Sequence, residues 1–115
     1  MSVSPAVPVA VCQFAPTDSR EGNRERIAQL VADAAARGAR LIVLPEYSSY
    51  FVNPLDESLA ARAETVDGEF VQTLTALAGE YAVVIVAGLV ERPVDDRRVR
   101  NAAVAVRGDG VLAVY

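Results

Sequence analysis

Leu41-Ile42-Val43-Leu44-Pro45-Glu46-Tyr47 is an apolar run that stops at a proline and then presents a carboxylate. Four branched aliphatics in a row suit a strand buried on both faces, as in a parallel sheet covered by helices. Pro45 has no N–H to donate and ends the ladder. Open α/β sheets hold their ligands in the crevice beyond the carboxyl ends of the strands, so Glu46 stands where such a fold does its chemistry.

Upstream, Gly38 is the left-handed stop of a helix in which Ile27, Leu30, Val31, Ala34 and Ala35 recur at helical spacing. Arg37 in its last turn suits the negative end of the helix dipole. The polar segment from Thr17 to Gly22 reads as a loop that caps the helix, with the helical run starting near Asn23. Before it, Pro8 to Phe14 reads as a first strand buried on both faces, Val9 and Val11 on one side and Ala10, Cys12 and Phe14 on the other. With Arg40 to Pro45 these pieces form a βαβ unit whose crossover is expected to be right-handed. Cys12, mid-strand among valines, reads as an inert core residue, because a nucleophilic thiolate needs an electropositive, partly open site.

Downstream, Tyr47, Tyr50 and Phe51 cluster directly after Glu46 in a loop running to Leu55. Two readings stand side by side. The rings either wall a substrate pocket and lower its dielectric, or they cap an edge of the core. Asp56 to Ala63 has room for a short helix with solvated charges. Asp67-Gly68 opens a second helix, with Asp67 as its cap and Phe70, Leu74, Leu77, Ala78 and Tyr81 at period 3.6. Val83 to Val90 is the most apolar strand, and Gly88 within it marks a bulge or a close backbone approach. Glu91 is expected in a solvated hairpin loop with Arg92-Pro93 and the charged run Asp95 to Arg100. Asn101 to Val106 and Val111 to Tyr115 flank Arg107-Gly108-Asp109-Gly110, a hairpin turn.

In their order and spacing these segments resemble the nitrilase or carbon-nitrogen hydrolase superfamily. The likeness is carried by VAVCQFAP, NRERIAQLVADAAARGARLIVLPE, DGEFVQTLTALAGEYAVVIVAGLVER and RNAAVAVRGDGVLAVY, and so covers nearly the whole chain. The resemblance implies an α/β fold, namely the amino-terminal portion of an α-β-β-α sandwich: a βαβ unit, an αβ unit and a terminal hairpin. It implies that Glu46 is the general base of a Glu-Lys-Cys triad that hydrolyses a small-molecule amide or nitrile. Tyr47 and Phe51 are then the candidate substrate-binding residues. It also implies association into homo-oligomers through sheet sandwiches.

Only one triad member is present. All 11 basic residues are arginine, and the single cysteine lies in the first strand. Members of the family carry the lysine soon after a strand like VLAVY and the nucleophilic cysteine later. The expectation is therefore that residues 1–115 form the amino-terminal part of one hydrolase domain and are inactive alone. The rival expectation, from a different class, is a non-catalytic α/β binding or assembly module whose unpaired strand edges seek a partner.

Composition sets the outer bounds. A chain of 115 residues, 52% hydrophobic and 23% charged, is long enough to bury a core. A net charge of −4 gives no basic stripe for nucleic acid. No apolar run is long enough for a bilayer span, and the amino terminus, MSVSPAVPVAV, lacks the positive region of a secretory signal, so a cytoplasmic protein is expected. The Arg107-Gly108-Asp109 tripeptide would matter only in an exported protein. With no histidine, a metal site is not expected. No glycine-rich phosphate cradle occurs either, so no cofactor is expected.

Overall fold

The computed structural model describes residues 5–95 and 97–115; residues 1–4, and Asp96 within the expected Asp95–Arg100 loop, lie outside the described residues. Eight elements follow in order: β1 (Val9–Val11), α1 (Arg20–Ala36), β2 (Leu41–Val43), α2 (Ser58–Arg62), α3 (Glu69–Tyr81), β3 (Val84–Glu91), β4 (Arg100–Arg107) and β5 (Gly110–Val114). The strands form one sheet in the order β1-β2-β3-β4-β5, parallel from β1 to β3 and antiparallel from β3 to β5. The mixed α/β architecture read from the sequence is therefore present.

Both crossovers, β1-α1-β2 and β2-α3-β3, step in the same direction along the sheet. Equal handedness then puts both helices on the same face. Ile42, Ile85 and Val106 stand side by side in register and are buried beneath Ile27 and Val31 of α1 and Phe70, Leu74 and Ala78 of α3. The alternate residues point the other way, to a bare face. Val43, Val86 and Ala105 are in register there and only half-buried, and Ala113 at the β5 edge is exposed.

This corrects two expectations about burial. The β1 strand is shorter than the Pro8–Phe14 run, and it is an edge strand on which Val9 is 54% and Val11 74% exposed. In β2, Ile42 is fully buried while Leu41 and Val43 are half-buried. Apolar composition on both faces was visible in the sequence, but only one face carries helices.

Local signals explain where the helices begin and end. Ser19 Oγ accepts from Gly22 N at 3.0 Å, so α1 starts three residues before Asn23, inside the expected loop. Its end is a Schellman motif: Gly38 at φ +91°, Gly38 N donating to Ala35 O and Ala39 N to Ala34 O. The cap of α3 is not the Asp67 side chain, which accepts from Thr65 Oγ1 instead. Glu64 reaches forward, its Oε1 accepting from Phe70 N at 2.9 Å. Ala82 closes α3 in the left-handed region at φ 53°. Glu91 is not in the loop but ends β3, paired with Arg100.

Candidate active site

Leu44 N donates to Val86 O, the last hydrogen bond that β2 makes along β3 before Pro45 ends the ladder. What happens next depends on Gly88. A Cβ placed there would lie 2.5 Å from Tyr47 N and 2.7 Å from Glu46 Cα, distances no side chain survives. The chain at Glu46 therefore lies directly on the backbone of β3, fastened by Gly88 N donating to Pro45 O at 3.1 Å. The glycine noted in the sequence is the seat of the carboxylate-bearing residue. Tyr47 then takes the left-handed conformation, φ 58°, which bends the chain back across the ends of the strands.

A polar latch holds that bend. Ser48 Oγ donates to Pro45 O at 2.5 Å, and Ser49 Oγ accepts from Val90 N at 3.0 Å. Asn23 on α1 is 2% exposed and fully satisfied: Nδ2 donates to Thr17 O and Ser49 O, while Oδ1 accepts from Thr17 N and Thr17 Oγ1. Phe51 N donates to Thr17 O. Tyr50 is buried, with its hydroxyl 2.7 Å from Ser58 Oγ. Ser58 in turn donates from its backbone N and hydroxyl to Asp56, and these bonds hold the Asp56 carboxyl below the usual carboxylate range. The segment after Glu46 is thus pinned from three sides.

The Glu46 carboxyl group lies on the bare face of the sheet. It borders a cleft of about 360 Å³ lined by Val43, Val86, Gly88, Ala103 and Tyr115, together with Asn101. Asn101 Nδ2 donates to Glu46 Oε1. This was missed in the sequence, where Asn101 reads only as the start of a strand. The signal available was a single amide among valines and alanines, and nothing local ties it to a residue 55 positions away.

The two other expected site residues form a pair of their own. Tyr47 and Phe51 have ring centroids 5.5 Å apart, tilted by 55°. Neither is among the residues lining the Glu46 cleft. Cys12 is half-buried on the other side of the sheet, beside Leu30, Asp33 and Ala34 of α1 and the Arg37 that caps its end. Burial pushes its thiol up, with the Arg26 charge a smaller opposing effect. The one thiol in the chain and Glu46 thus occupy opposite faces. A roomier groove of about 530 Å³ runs between α3 and the β4–β5 hairpin, but it shares no residue with the Glu46 cleft, so size does not assign the site. Among the described residues no group of three or more acidic, histidine or cysteine side chains is placed to hold a metal ion.

The family profile described as carbon-nitrogen hydrolase matches residues 8–115. The chain belongs to the carbon-nitrogen hydrolase family. Among relatives of this hydrolase-family chain, human deaminated glutathione amidase is 32% identical over 112 residues, which is 93% of this chain and 34% of that protein. The citrullinase of Francisella tularensis is 29% identical over 113 residues, 95% of this chain and 39% of that protein. Among solved structures, a carbon-nitrogen hydrolase from Helicobacter pylori superposes with a TM-score of 0.75 at 27% identity, covering 95% of this chain and 38% of that one. Saccharomyces cerevisiae Nit3, of the nitrilase superfamily, superposes at 0.80 with 19% identity, covering 95% and 43%. At that identity the likeness to Nit3 speaks for the fold alone. The chain spans between a third and two-fifths of the length of the curated relatives named here.

Proposed function

We propose that residues 1–115 are the amino-terminal part of a carbon-nitrogen hydrolase domain in which Glu46 is the general base of an amidase-type reaction on a small-molecule amide or nitrile. The observation that carries this reading is the seat of Glu46: a carboxylate at the carboxyl end of a parallel strand, fastened onto Gly88 and bordering a cleft. Family membership and relatives that include a citrullinase and deaminated glutathione amidases support it.

Hydrolysis of a carbon-nitrogen bond requires a nucleophile, a base that takes its proton and donors for the developing anion. Glu46 supplies the base. On an amide, a thiol attacks the carbonyl carbon, its proton passes to the Glu46 carboxylate and from there to the departing amine or ammonia, and a cation steadies the tetrahedral anion; on a nitrile, the same attack gives a thioimidate, which takes up one water and loses ammonia. Both routes reach a thioester, from which a further water releases the acid. The 115 residues contain no lysine, and Cys12 faces away from Glu46. Cation and thiol are therefore brought to the bare face by another segment or another polypeptide. The Tyr47–Phe51 pair, directly after the base, is proposed as the adjoining apolar wall that contacts substrate.

The test has two arms. The 115-residue protein alone should show no hydrolysis of aliphatic amides, ureido acids or nitriles; Glu46-dependent turnover by it would refute the need for further groups. In a catalytically complete protein carrying this segment, Glu46→Gln should lower kcat/KM by about 10²- to 10⁴-fold. Near-normal turnover there would reduce Glu46 to a solvated strand-end carboxylate.

The bare apolar face favours a second reading, an assembly module that does no chemistry. Val9 and Val11 on this face are among the most exposed large apolar residues described. Under either reading the protein is proposed to associate, with itself or with a complementing layer.

A further inference from the structure

Glu46 and Asn101 come from strands that are not neighbours. Glu46 follows β2, Asn101 belongs to β4, and β3 runs between them. The glutamate crosses β3 where Gly88 leaves the backbone uncovered, and its carboxyl group meets the Asn101 amide on the far side. Asn101 lies on the bare face by register: Val90 is its partner on β3, and Gly88 pairs with Ala103, two residues further along the same side of β4. Both Asn101 and Glu46 are exposed, so burial does not hold the carboxylate in place. Among the described residues, Asn101 is the one hydrogen-bond partner of the Glu46 side chain.

We propose that Asn101 is the positioning residue of Glu46, its Nδ2–H holding Oε1 so that one carboxylate orientation, with Oε2 left to accept a proton, is presented to the cleft. The inference rests on the reading of Glu46 as the base, and it names the residue that makes that base directional. An amide suits the task. It donates without adding charge, so it fixes the carboxylate without forming an ion pair that would compete with an incoming proton. A flexible glutamate would otherwise sample several rotamers, and a base must meet its proton within hydrogen-bond reach.

The experiment reads orientation directly in the 115-residue protein, by three-bond NMR couplings about χ1 and χ2 of Glu46. The wild-type protein should show one dominant rotamer. Asn101→Leu keeps the shape and removes the donor, and should give averaged couplings. Asn101→Asp should do the same with added repulsion, since two carboxylates would face each other. Conversely, Glu46→Gln should move the Asn101 side-chain amide proton shifts, while backbone amide shifts elsewhere confirm an intact fold. Unchanged Glu46 couplings in both Asn101 variants, or averaged couplings already in the wild type, would overturn the proposal. In a catalytically complete protein, Asn101→Leu should lower kcat about tenfold with little change in KM. The two ideas fail separately: a Glu46→Gln enzyme with full turnover removes the base but leaves the pairing, whereas insensitive couplings remove the pairing but leave the base.

Discussion

Gly88 does at one residue what a side chain would prevent. Gly88→Ala would drive a methyl group into the backbone of Glu46 and Tyr47, neither of which can swing aside as a side-chain end does. The expected cost is about 1–3 kcal/mol, read as a lower urea midpoint at unchanged slope, and the Pro45–Gly88 hydrogen bond should be lost. A variant as stable as the wild type would show that the two strands can part at no cost. Cys12 allows a second check. Because burial raises its thiol, the thiolate fraction at pH 7 is smaller than that of free cysteine, and the fraction grows only as pH climbs past the ordinary thiol range. Modification by a disulfide reagent should therefore be slower than that of free cysteine at pH 7 and accelerate towards pH 9 and above. Equal rates at pH 7 would contradict the burial. Glu46 and Gly88 were legible because each breaks a pattern, a carboxylate after an apolar run and a glycine inside one. Asn101 and Asn23 were not, since their roles depend on partners 55 and 26 positions away, respectively.

At the scale of elements, helix ends show how short-range chemistry can be read and where it misleads. The Ser19 cap and the Gly38 stop follow from residue type alone. Asp67 has the right type and position for a cap, yet Glu64 takes the Phe70 N–H because the chain enters α3 from a bridge to the end of β3, with Glu64 N donating to Val90 O. No local rule contains that bridge. At the other end of α3, Ala82 sits in the left-handed region, where a Cβ is unfavourable and glycine is not. Ala82→Gly, at an exposed position, should raise stability by about 0.5–1 kcal/mol, measured as a higher melting temperature. A decrease would mean that the unfolded-state entropy of glycine outweighs the relief of strain.

For the whole molecule, the succession of strands and helices along the chain followed from the alternation of apolar segments, but the extent of burial did not. Periodicity reports which residues are apolar and is silent about which layer covers them, so β1 and β2 read as buried on both faces although helices lie on one. The outcome is an apolar sheet face left open along β1 and β2, and an edge strand with unpaired backbone groups. The 115-residue protein should therefore self-associate. Sedimentation velocity should give a species of at least dimer mass at micromolar concentration, and Val9→Lys with Val11→Glu should shift it towards monomer without loss of helical signal. A wild-type monomer at all concentrations would count against the proposed association.

The bare face also sets when the proposed chemistry can begin. Water has free access to Glu46 and Asn101 as long as nothing lies over them. A covering layer would act as a stopper, shutting out solvent from the carboxylate in the same motion that delivers the thiol and the cation. Proton transfer would thus be licensed by closure of the molecule, with no separate local trigger, and a defect in that closure would surface as silent enzyme long before it surfaced as unfolded protein.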